Sequence, residues 1–310
     1  MKEILIGIDN GNKFTKTHNE LFLEETSIRP ISDDYIAFGK TIIKYNNSLY
    51  VIGEGRNSVK LNKFEDDDTF LITIAGIAEE LHAKGINEKV DIILGVGLPL
   101  MSYGKYKLKM KEYFLRDNIE VEYKNKQYSF SIKEVYVYPQ GIAGFMTVYH
   151  RYKDFQVCNI IDLGGYTLDI FKTGEGGIPE LSSLKSYTTG VITLFEEIKQ
   201  ELLRNDINLN DKQIEKIITN EDSFIIDDGC ISVINNKVNV YVKELINKLK
   251  ESGMELKNPC IFIGGGFNLL ENYIRSSKEF NYVEFLDIYA NAKGYYKLAS
   301  EQRNKLKLRK

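Results

Sequence analysis

Three short segments contain the residues whose types and spacing could do chemistry. They are residues 9–16 (DNGNKFTK), 162–169 (DLGGYTLD) and 264–268 (GGGFN), and each follows an apolar run. Glycine permits positive φ and lets backbone N–H groups approach an anion, so such turns can bind phosphate. An Asp at the end of a strand can hold Mg²⁺ or its waters, and Lys16 adds a charge that can reach phosphate oxygens. The set predicts a nucleotide site.

The strength of this prediction comes from the combination of the three turns. A single glycine turn after a strand is structural more often than functional. Two turns that begin with Asp, together with a triple-glycine turn, favour one shared nucleotide site. The sequence has no Gly-x-x-x-x-Gly-Lys-Ser/Thr loop and no Gly-x-Gly-x-x-Gly before a helix. The stretch GVGLPL at 95–100 resembles the second motif only superficially, because Pro99 stands where the helix should start.

The elements that must position these turns follow from apolar periodicity and from glycine and proline punctuation. Predicted strands cover 3–9, 48–53, 91–97, 134–138, 156–162, 167–172 and 260–263, with a hairpin over 119–132 that turns at Asn125–Lys126. Predicted helices cover 69–84, 103–116, 141–152, 189–204, 238–251, 269–277 and about 290–307. The pattern strand, Asp and glycine turn recurs about 150 residues later, which predicts two related α/β lobes of mixed sheets flanked by helices.

Composition limits the function classes. The net charge of −3 argues against a broad nucleic-acid surface, because phosphate binding needs clustered Lys and Arg. One basic cluster exists near the C-terminus and is interpreted as a solvated helix end, with contact to an acidic partner as the alternative; it comprises Lys305, Lys307, Arg309 and Lys310.

The three cysteines have no metal-ligand spacing and are interpreted as reduced thiols. No signal peptide or membrane span is evident, so we expect a cytoplasmic protein with no membrane partner.

At this point the sequence resembles a known superfamily. IGIDNGNKFTK looks like the phosphate-1 loop of the actin, sugar-kinase and DnaK-type chaperone superfamily, and IIDLGGYTLDIF looks like its phosphate-2 loop. IFIGGGFNLL is similar to the adenosine motif, and YPQGIAGFM to the connecting helix. The four motifs occur in the family order and frame nearly the whole chain. IIDLGGYTLDI and the compact length resemble the ParM-like bacterial actins, which segregate plasmids.

The resemblance implies an actin-like two-lobed fold with a nucleotide cleft between the lobes. Lobe I would span 1–152, with a small inserted subdomain at about 30–90. Lobe II, with the phosphate-2 and adenosine motifs, would span 153–288. A C-terminal helix within 289–310 would return to lobe I.

The resemblance also implies roles for individual residues. Asp9 and Asp162 would hold Mg²⁺, largely through water, and would contact the attacking water. Gln140 would orient that water, and because an amide is a poor general base, hydrolysis would be slow. The ATP or ADP phosphates would be contacted by Lys16 and by the N–H groups of Gly11, Asn12, Gly164, Gly165 and Tyr166. The adenosine would lie along Gly264, Gly265, Gly266 and Phe267, with Gly190 near the ribose.

Some positions depart from the family pattern. Asn12 replaces a serine, and Lys13 stands where a small residue is common. Lys13 either points to solvent, which we favour, or slows phosphate release beside the β-phosphate. Asp169 is interpreted as a structural residue that caps the second hairpin.

The function that fits best is an ATP-dependent polymerising actin-like ATPase. Its dynamic filaments would segregate plasmid or other DNA through a DNA-binding adaptor at a centromere-like site, without touching nucleic acid directly. A small-molecule kinase or phosphatase of the same superfamily is the alternative, and an assembly or regulatory ATPase is a third. A kinase needs an acidic general base near the cleft, and Gln140 is not an acid.

Overall fold

The computed structural model describes residues 1–36, 38–54, 64, 66–221 and 228–308. Arg309 and Lys310 of the predicted basic cluster, and part of the predicted insertion at 30–90, lie outside the described residues. The chain divides into two compact units. The first comprises Met1–Val148 and Tyr289–Lys310, and the second comprises Tyr149–Ile288.

The described elements run in chain order as follows. The first unit begins with β1 (Lys2–Asn10), β2 (Phe14–Thr17), β3 (Leu23–Glu25), β4 (Ile28–Ile31), β5 (Thr41–Tyr45), β6 (Ser48–Ile52), α1 (Asp68–Ala83), β7 (Val90–Leu98), α2 (Leu100–Phe114), β8 (Arg116–Tyr123), β9 (Lys126–Pro139) and α3 (Ile142–Met146). The second unit contains α4 (Tyr149–Tyr152), β10 (Cys158–Leu163), β11 (Leu168–Thr173), β12 (Pro179–Tyr187), α5 (Val191–Leu203), α6 (Asp211–Ile218), α7 (Asp228–Glu251), β13 (Cys260–Ile263), α8 (Phe267–Ser276) and β14 (Val283–Phe285). Helix α9 (Ala290–Lys307) then belongs to the first unit.

The first unit is built on a mixed sheet with strand order β3-β2-β1-β7-β9-β8-β5-β6-β4. Strands β1, β7 and β9 are parallel neighbours, and the pairs outside them are antiparallel. Strands β1 and β7 are rich in Ile, Leu and Val because both of their faces are covered. Ile6, Ile8, Leu94 and Val96 are buried in a core that also includes Phe70 of α1.

Helix α9 lies directly on this sheet because several contact positions are glycine. A Cβ atom at Gly95 would come within 2.9 Å of the Tyr295 carbonyl oxygen, and one at Gly7 within 2.8 Å of the Tyr296 nitrogen. A Cβ atom at Gly294 of α9 would overlap the carbonyl oxygen of Ala143 in α3. The glycines therefore set how closely α9 can approach β1, β7 and α3.

This close approach predicts opposite effects for two helical glycine-to-alanine changes. Gly294→Ala should lower the free energy of unfolding by about 1–3 kcal/mol, because backbone must move to admit the methyl group. Gly104→Ala in α2 is the matched control, since nothing lies within 4 Å of its added Cβ atom. It should raise the free energy of unfolding by roughly 0.5–1 kcal/mol through helix propensity. Urea unfolding followed by tyrosine fluorescence measures both, and equal effects would contradict the packing argument.

The second unit is built on a five-stranded sheet with order β12-β11-β10-β13-β14. Strands β10, β13 and β14 are parallel neighbours, whereas β10, β11 and β12 form an antiparallel meander. The apolar faces of α5, α7 and α8 complete its core through residues such as Phe195, Leu245 and Leu270. Both units thus consist of a mixed sheet with helices, which is the predicted fold class.

Several predicted elements differ in detail. The helix predicted over 238–251 is α7, which begins ten residues earlier at Asp228, and the helix predicted over 103–116 is α2, which ends at Phe114. The hairpin turns at Lys124–Asn125, one residue earlier than predicted, and both residues have positive φ, as a two-residue hairpin turn requires. The predicted strand 134–138 is the last part of the 14-residue strand β9. The predicted helix 141–152 is two short helices, α3 and α4. No helix among the described residues is long and apolar enough to cross a lipid bilayer.

Candidate functional site

The first predicted phosphate loop is a tight connection between β1 and β2. Asp9 and Lys16 are directly paired across the two strands, so their side chains lie on the same face. The N–H of Gly11 donates to the carbonyl oxygen of Phe14 at 3.0 Å, which closes the turn.

Three of the predicted site residues meet in one hydrogen-bonded cluster. The Nζ atom of Lys16 lies 2.9 Å from Oδ2 of Asp9, and the side chains are only 9% and 5% exposed. The other carboxylate oxygen, Oδ1, accepts a hydrogen bond from Nε2 of Gln140 at 3.2 Å. The structure therefore brings together a carboxylate, a cation and an amide. We refer to these three residues as the Asp9 cluster.

Backbone contacts place Gln140 in this cluster. Its N–H donates to the carbonyl oxygen of Leu98 at the end of β7, at 2.8 Å. The next residue, Gly141, has a φ of 71°, and its N–H donates to Oδ1 of Asn291 at 3.0 Å. Asn291 is a buried residue of α9. Sequence reasoning missed Asn291, and the available signal was a polar residue between two alanines on an otherwise packed helix.

A second missed residue, Thr26, anchors the first loop. Its hydroxyl group donates to the carbonyl oxygen of Gly11 at 2.9 Å, and its N–H donates to that of Lys13 at 2.9 Å. Its hydroxyl also lies 3.1 Å from the hydroxyl of Thr15. Thr26 thus holds both ends of the turn. The side chain of Lys13 lies beside Phe14, with its ammonium group 5.3 Å from the centre of the Phe14 ring.

The second predicted phosphate loop repeats the hairpin arrangement between β10 and β11. Asp162 and Asp169 are directly paired, and the N–H of Gly164 donates to the carbonyl oxygen of Thr167 at 2.8 Å. Both carboxylates are buried. Burial raises the pKa of Asp169, and hydrogen bonds from the side chains of Ser186 and Thr167 partly offset that increase.

The backbone N–H groups of the two loops divide into two kinds. Those of Gly11 and Gly164 are used to close the turns. Those of Asn12, Gly165 and Tyr166 donate to no other group among the described residues. All three residues are partly exposed. Unused N–H groups in a turn are the donors that an anion requires, so within each loop these groups fit a phosphate better than the N–H group that closes the turn.

Gly190 and the first residues of α5 pack against the second loop. Gly190 precedes α5, whose first N–H groups, of Val191 and Ile192, donate to the carbonyl oxygens of Gly164 and Gly165 at 3.2 and 2.9 Å. A Cβ atom at Gly190 would overlap the carbonyl oxygen of Gly165. Its role near the ribose stays a prediction, and the contact that the structure describes is with the phosphate-2 loop.

The third turn joins β13 to α8 and packs on the second loop. Gly264 has a φ of 97°, and a Cβ atom there would lie 2.8 Å from Oδ1 of Asp162. A Cβ atom at Gly266 would lie 2.9 Å from Cγ of Leu163. The Phe267 side chain is 1% exposed and packs edge-on against Phe262, with ring centres 4.6 Å apart. Phe267 can therefore offer only its backbone to an adenosine.

The glycines of the third turn are expected to differ in their tolerance of alanine. Gly264→Ala should lower the free energy of unfolding by about 1–3 kcal/mol, because its positive φ and the nearby carboxylate both oppose a side chain. Gly265→Ala should stay within roughly 0.5 kcal/mol of the parent, since its added Cβ atom would only touch Ile288 at 3.6 Å. Urea unfolding of the two variants compares them directly. A larger loss for Gly265→Ala would contradict this description of the turn.

The donor set also bears on the predicted magnesium ion. Among the described residues, no group of three or more His, Cys, Asp or Glu side chains could hold a metal by itself. Mg²⁺ commonly keeps several waters and is bound through one or two carboxylates plus substrate phosphates. Asp9 and Asp162 each lie near the end of a strand beside a glycine turn, and a single carboxylate in that position fits this manner of binding.

Comparison with known proteins identifies the class. Residues 7–142 match the family model described as the N-terminal domain of actin-like proteins. Residues 152–298 match the model described as plasmid segregation protein ParM, C-terminal. The two models together cover most of the chain. A search of curated protein sequences gave no match.

Solved structures show the same architecture. An archaeal actin homologue, Ta0583, is 16% identical, with a TM-score of 0.77 over 96% of this chain and 99% of that chain. A ParM from a 15-stranded filament of Clostridium botulinum is 17% identical, with a TM-score of 0.74 over 97% and 100%. Bacillus thuringiensis ParM with ATP is 15% identical, with a TM-score of 0.70 over 98% and 100%. At these identities the likeness shows a common fold.

The fold and the two hairpins that each begin with Asp define an actin-like protein, as the sequence motifs predicted. Within that class, the model that matches residues 152–298 is the one described as plasmid segregation protein ParM, C-terminal. The chain belongs to the ParM-like family of actin-like proteins.

Proposed function

We propose that this protein is an ATPase that binds Mg-ATP with the loops 9–16 and 162–169 and polymerises into dynamic filaments. The observation that carries the proposal is the Asp9 cluster, in which Gln140 donates to the carboxylate that is also paired with Lys16. A carboxylate, an amide and a cation held beside a phosphate-binding turn are the groups needed to place a water for attack on a phosphoryl group.

The chemistry follows from the properties of each group. The bound Mg²⁺ supplies charge that neutralises the phosphates. Asp9 and Asp162 accept hydrogen bonds from water at the ends of β1 and β10. Gln140 orients a water through its amide but takes up no proton at neutral pH, so hydrolysis is slow. The unused N–H groups of Asn12, Gly165 and Tyr166 bind phosphate oxygens.

Solved structures of similar proteins support the proposal of ATP binding and filament assembly. One relative was solved as a filament and another with ATP. For this chain we propose head-to-tail self-assembly, which gives open filaments when the contact does not close into a ring. We further propose that the filament acts in the cytoplasm and moves plasmid or other DNA through a DNA-binding adaptor. The comparisons give no support to the kinase or phosphatase alternative.

Right-angle light scattering of the purified protein tests the assembly step. Scattering should rise when Mg-ATP is added and fall slowly as ATP is consumed. Two controls are Mg-ADP and ATP with excess EDTA, and both should leave the trace low. A flat trace with Mg-ATP at all protein concentrations would remove the filament proposal. Phosphate release measured on the same sample would then show whether the ATPase proposal stands without it.

Co-sedimentation tests the adaptor step. Filaments alone should leave plasmid DNA in the supernatant. Addition of a DNA-binding protein encoded beside this one should bring the DNA into the pellet. If the DNA pellets without any adaptor, or stays in solution with every neighbouring gene product, the segregation proposal fails and the ATPase proposal is untouched.

A further inference from the structure

Strand β9 has one open edge. Strand β8 pairs with β9 only as far as Ile132, whereas β7 pairs with it as far as Pro139. Among the described residues, the segment 133–139 therefore has a strand neighbour on one side only. An open edge presents N–H and C=O groups that can pair with another extended chain.

Helices flank this edge on both faces of the sheet. Side chains of directly paired strand residues share a face, so Tyr136 and Tyr138 point to the same side as Gly95 and Gly97, which α9 covers. The hydroxyl of Tyr138 accordingly lies 2.9 Å from Oε1 of Gln302 in α9. The alternate residues of β9 point to the side of α2, where the hydroxyl of Tyr103 donates to the carbonyl oxygen of Val137 at 3.3 Å.

The result is a groove of about 670 Å³ with the edge of β9 as its floor. It is lined by consecutive residues 133–138 of β9 together with residues of α2 and α9. Leu108, Leu115 and Leu306 line the groove and are 66%, 38% and 47% exposed. We call it the β9 groove. It offers apolar contacts on both sides of an unpaired strand edge.

The charge around the β9 groove is positive. Helix α2 carries Lys105, Lys107, Lys109 and Lys111, and none of them forms an ion pair within the described part of the chain. Lys107 and Lys111 line the groove. Its acidic lining residue, Glu134, is already engaged by Tyr136 and Arg303, at 2.7 and 3.4 Å. An occupant with carboxylates would therefore find unpaired cations.

We propose that the β9 groove binds an extended segment of a partner protein in which acidic and apolar residues alternate. The segment adds as a further strand along 133–138, which spans roughly 20 Å at the usual rise per residue. Its apolar side chains contact the exposed leucines and the two tyrosines, and its carboxylates pair with Lys107 and Lys111. Two copies of this chain joined through the same edge would instead bring their lysines together.

All of these residues belong to the first compact unit, so the inference does not depend on nucleotide binding or on filament assembly. The test uses the full chain and a panel of fluorescein-labelled synthetic peptides of eight residues that alternate Glu or Asp with Val, Ile or Phe. Fluorescence anisotropy measures binding, and hydrogen exchange measures protection of the backbone amides of 133–138. We expect at least one peptide to bind and to protect those amides of 133–138 that do not already bond to β7. Successive N–H groups of a strand point to opposite sides, so an added strand takes up only the outward ones.

Control variants separate this groove from general electrostatic attraction. The double variant Lys107→Glu with Lys111→Glu should weaken peptide binding by about tenfold or more. The same charge change at exposed Lys243 and Lys257 of the second unit should have a much smaller effect. Peptides with Lys in place of the acids, and peptides with N-methylated backbones, should not bind.

Three results would overturn the proposal. One is that no acidic peptide binds more tightly than its lysine counterpart. Another is binding without protection of 133–138, which would show a charged patch and no added strand. The third is that a single-stranded DNA oligonucleotide or a second copy of this chain occupies the groove, protecting 133–138, while the peptides do not bind.

Discussion

Asp162→Asn is expected to lower the rate of phosphate release from ATP by roughly a hundredfold or more, because it removes a preorganised charge that the transition state needs. The change keeps the shape of the side chain at the end of β10, where Asp162 pairs with Asp169 and lies close to Gly264. The second hairpin should therefore remain folded. A coupled phosphate-release assay at saturating Mg-ATP measures the effect.

The matched control for this variant is Asp154→Asn. Asp154 is an exposed carboxylate of the same unit and lies outside the glycine turns. It should leave the rate of phosphate release unchanged, and both variants should melt close to the parent. If Asp162→Asn keeps most of its activity while folded, Asp162 has no direct role in hydrolysis and the proposed site is wrong.

Lys16→Met is expected to lower the free energy of unfolding by about 3–5 kcal/mol, because it leaves a buried carboxylate without its cation. Methionine retains the length and most of the apolar contacts of lysine. The lost element is the 2.9 Å ion pair with Asp9, in which both side chains are almost fully buried. Urea unfolding is suitable because the protein has 20 tyrosines and no tryptophan, so tyrosine fluorescence reports on the transition.

A double variant makes this prediction specific. Replacing Asp9 by Asn together with Lys16→Met removes both charges and leaves an amide that can still accept from Gln140. Much of the lost stability should return, because an uncharged pair carries no penalty for an unpaired buried charge. If the single and double variants are equally unstable, the ion pair does not stabilise the fold. The predicted contact of Lys16 with the phosphates is tested separately by nucleotide affinity.

The sequence was sufficient to predict the fold class and the family because the signals are local. The pattern of an apolar strand, an Asp and a glycine turn occupies only about a dozen residues, and it occurs twice, at Asp9 and at Asp162. The site residues themselves stay predictions, yet the structure does bring Asp9, Lys16 and Gln140 into contact. Asp9 and Lys16 meet across a local hairpin, whereas Gln140, 131 residues from Asp9, reaches them only through tertiary packing.

Other features could not be read from the sequence because their cause is distant along the chain. Asn291 accepts from Gly141 across 150 residues, and Thr26 holds a loop that ends 13 residues before it. The glycines at 95 and 97 resemble part of a dinucleotide-binding motif in the sequence. In the structure they lie against Tyr295 of α9, where a side chain on either residue would collide with that tyrosine. The elements that were not predicted are β2 to β5, β12, β14 and α6. Most of these strands have only three to five residues and take their stability from neighbouring strands.

The position of α9 in the chain affects the order in which the protein can fold during synthesis. The second unit is one continuous segment and has its whole sheet and core once residue 288 has left the ribosome. The first unit must wait, because its sheet stays uncovered on one face until α9 has been made. Asn291 arrives on the same helix, so the turn that holds Gln140 is completed only then. A growing chain therefore acquires the Asp9 cluster in its final form only after α9 has been made.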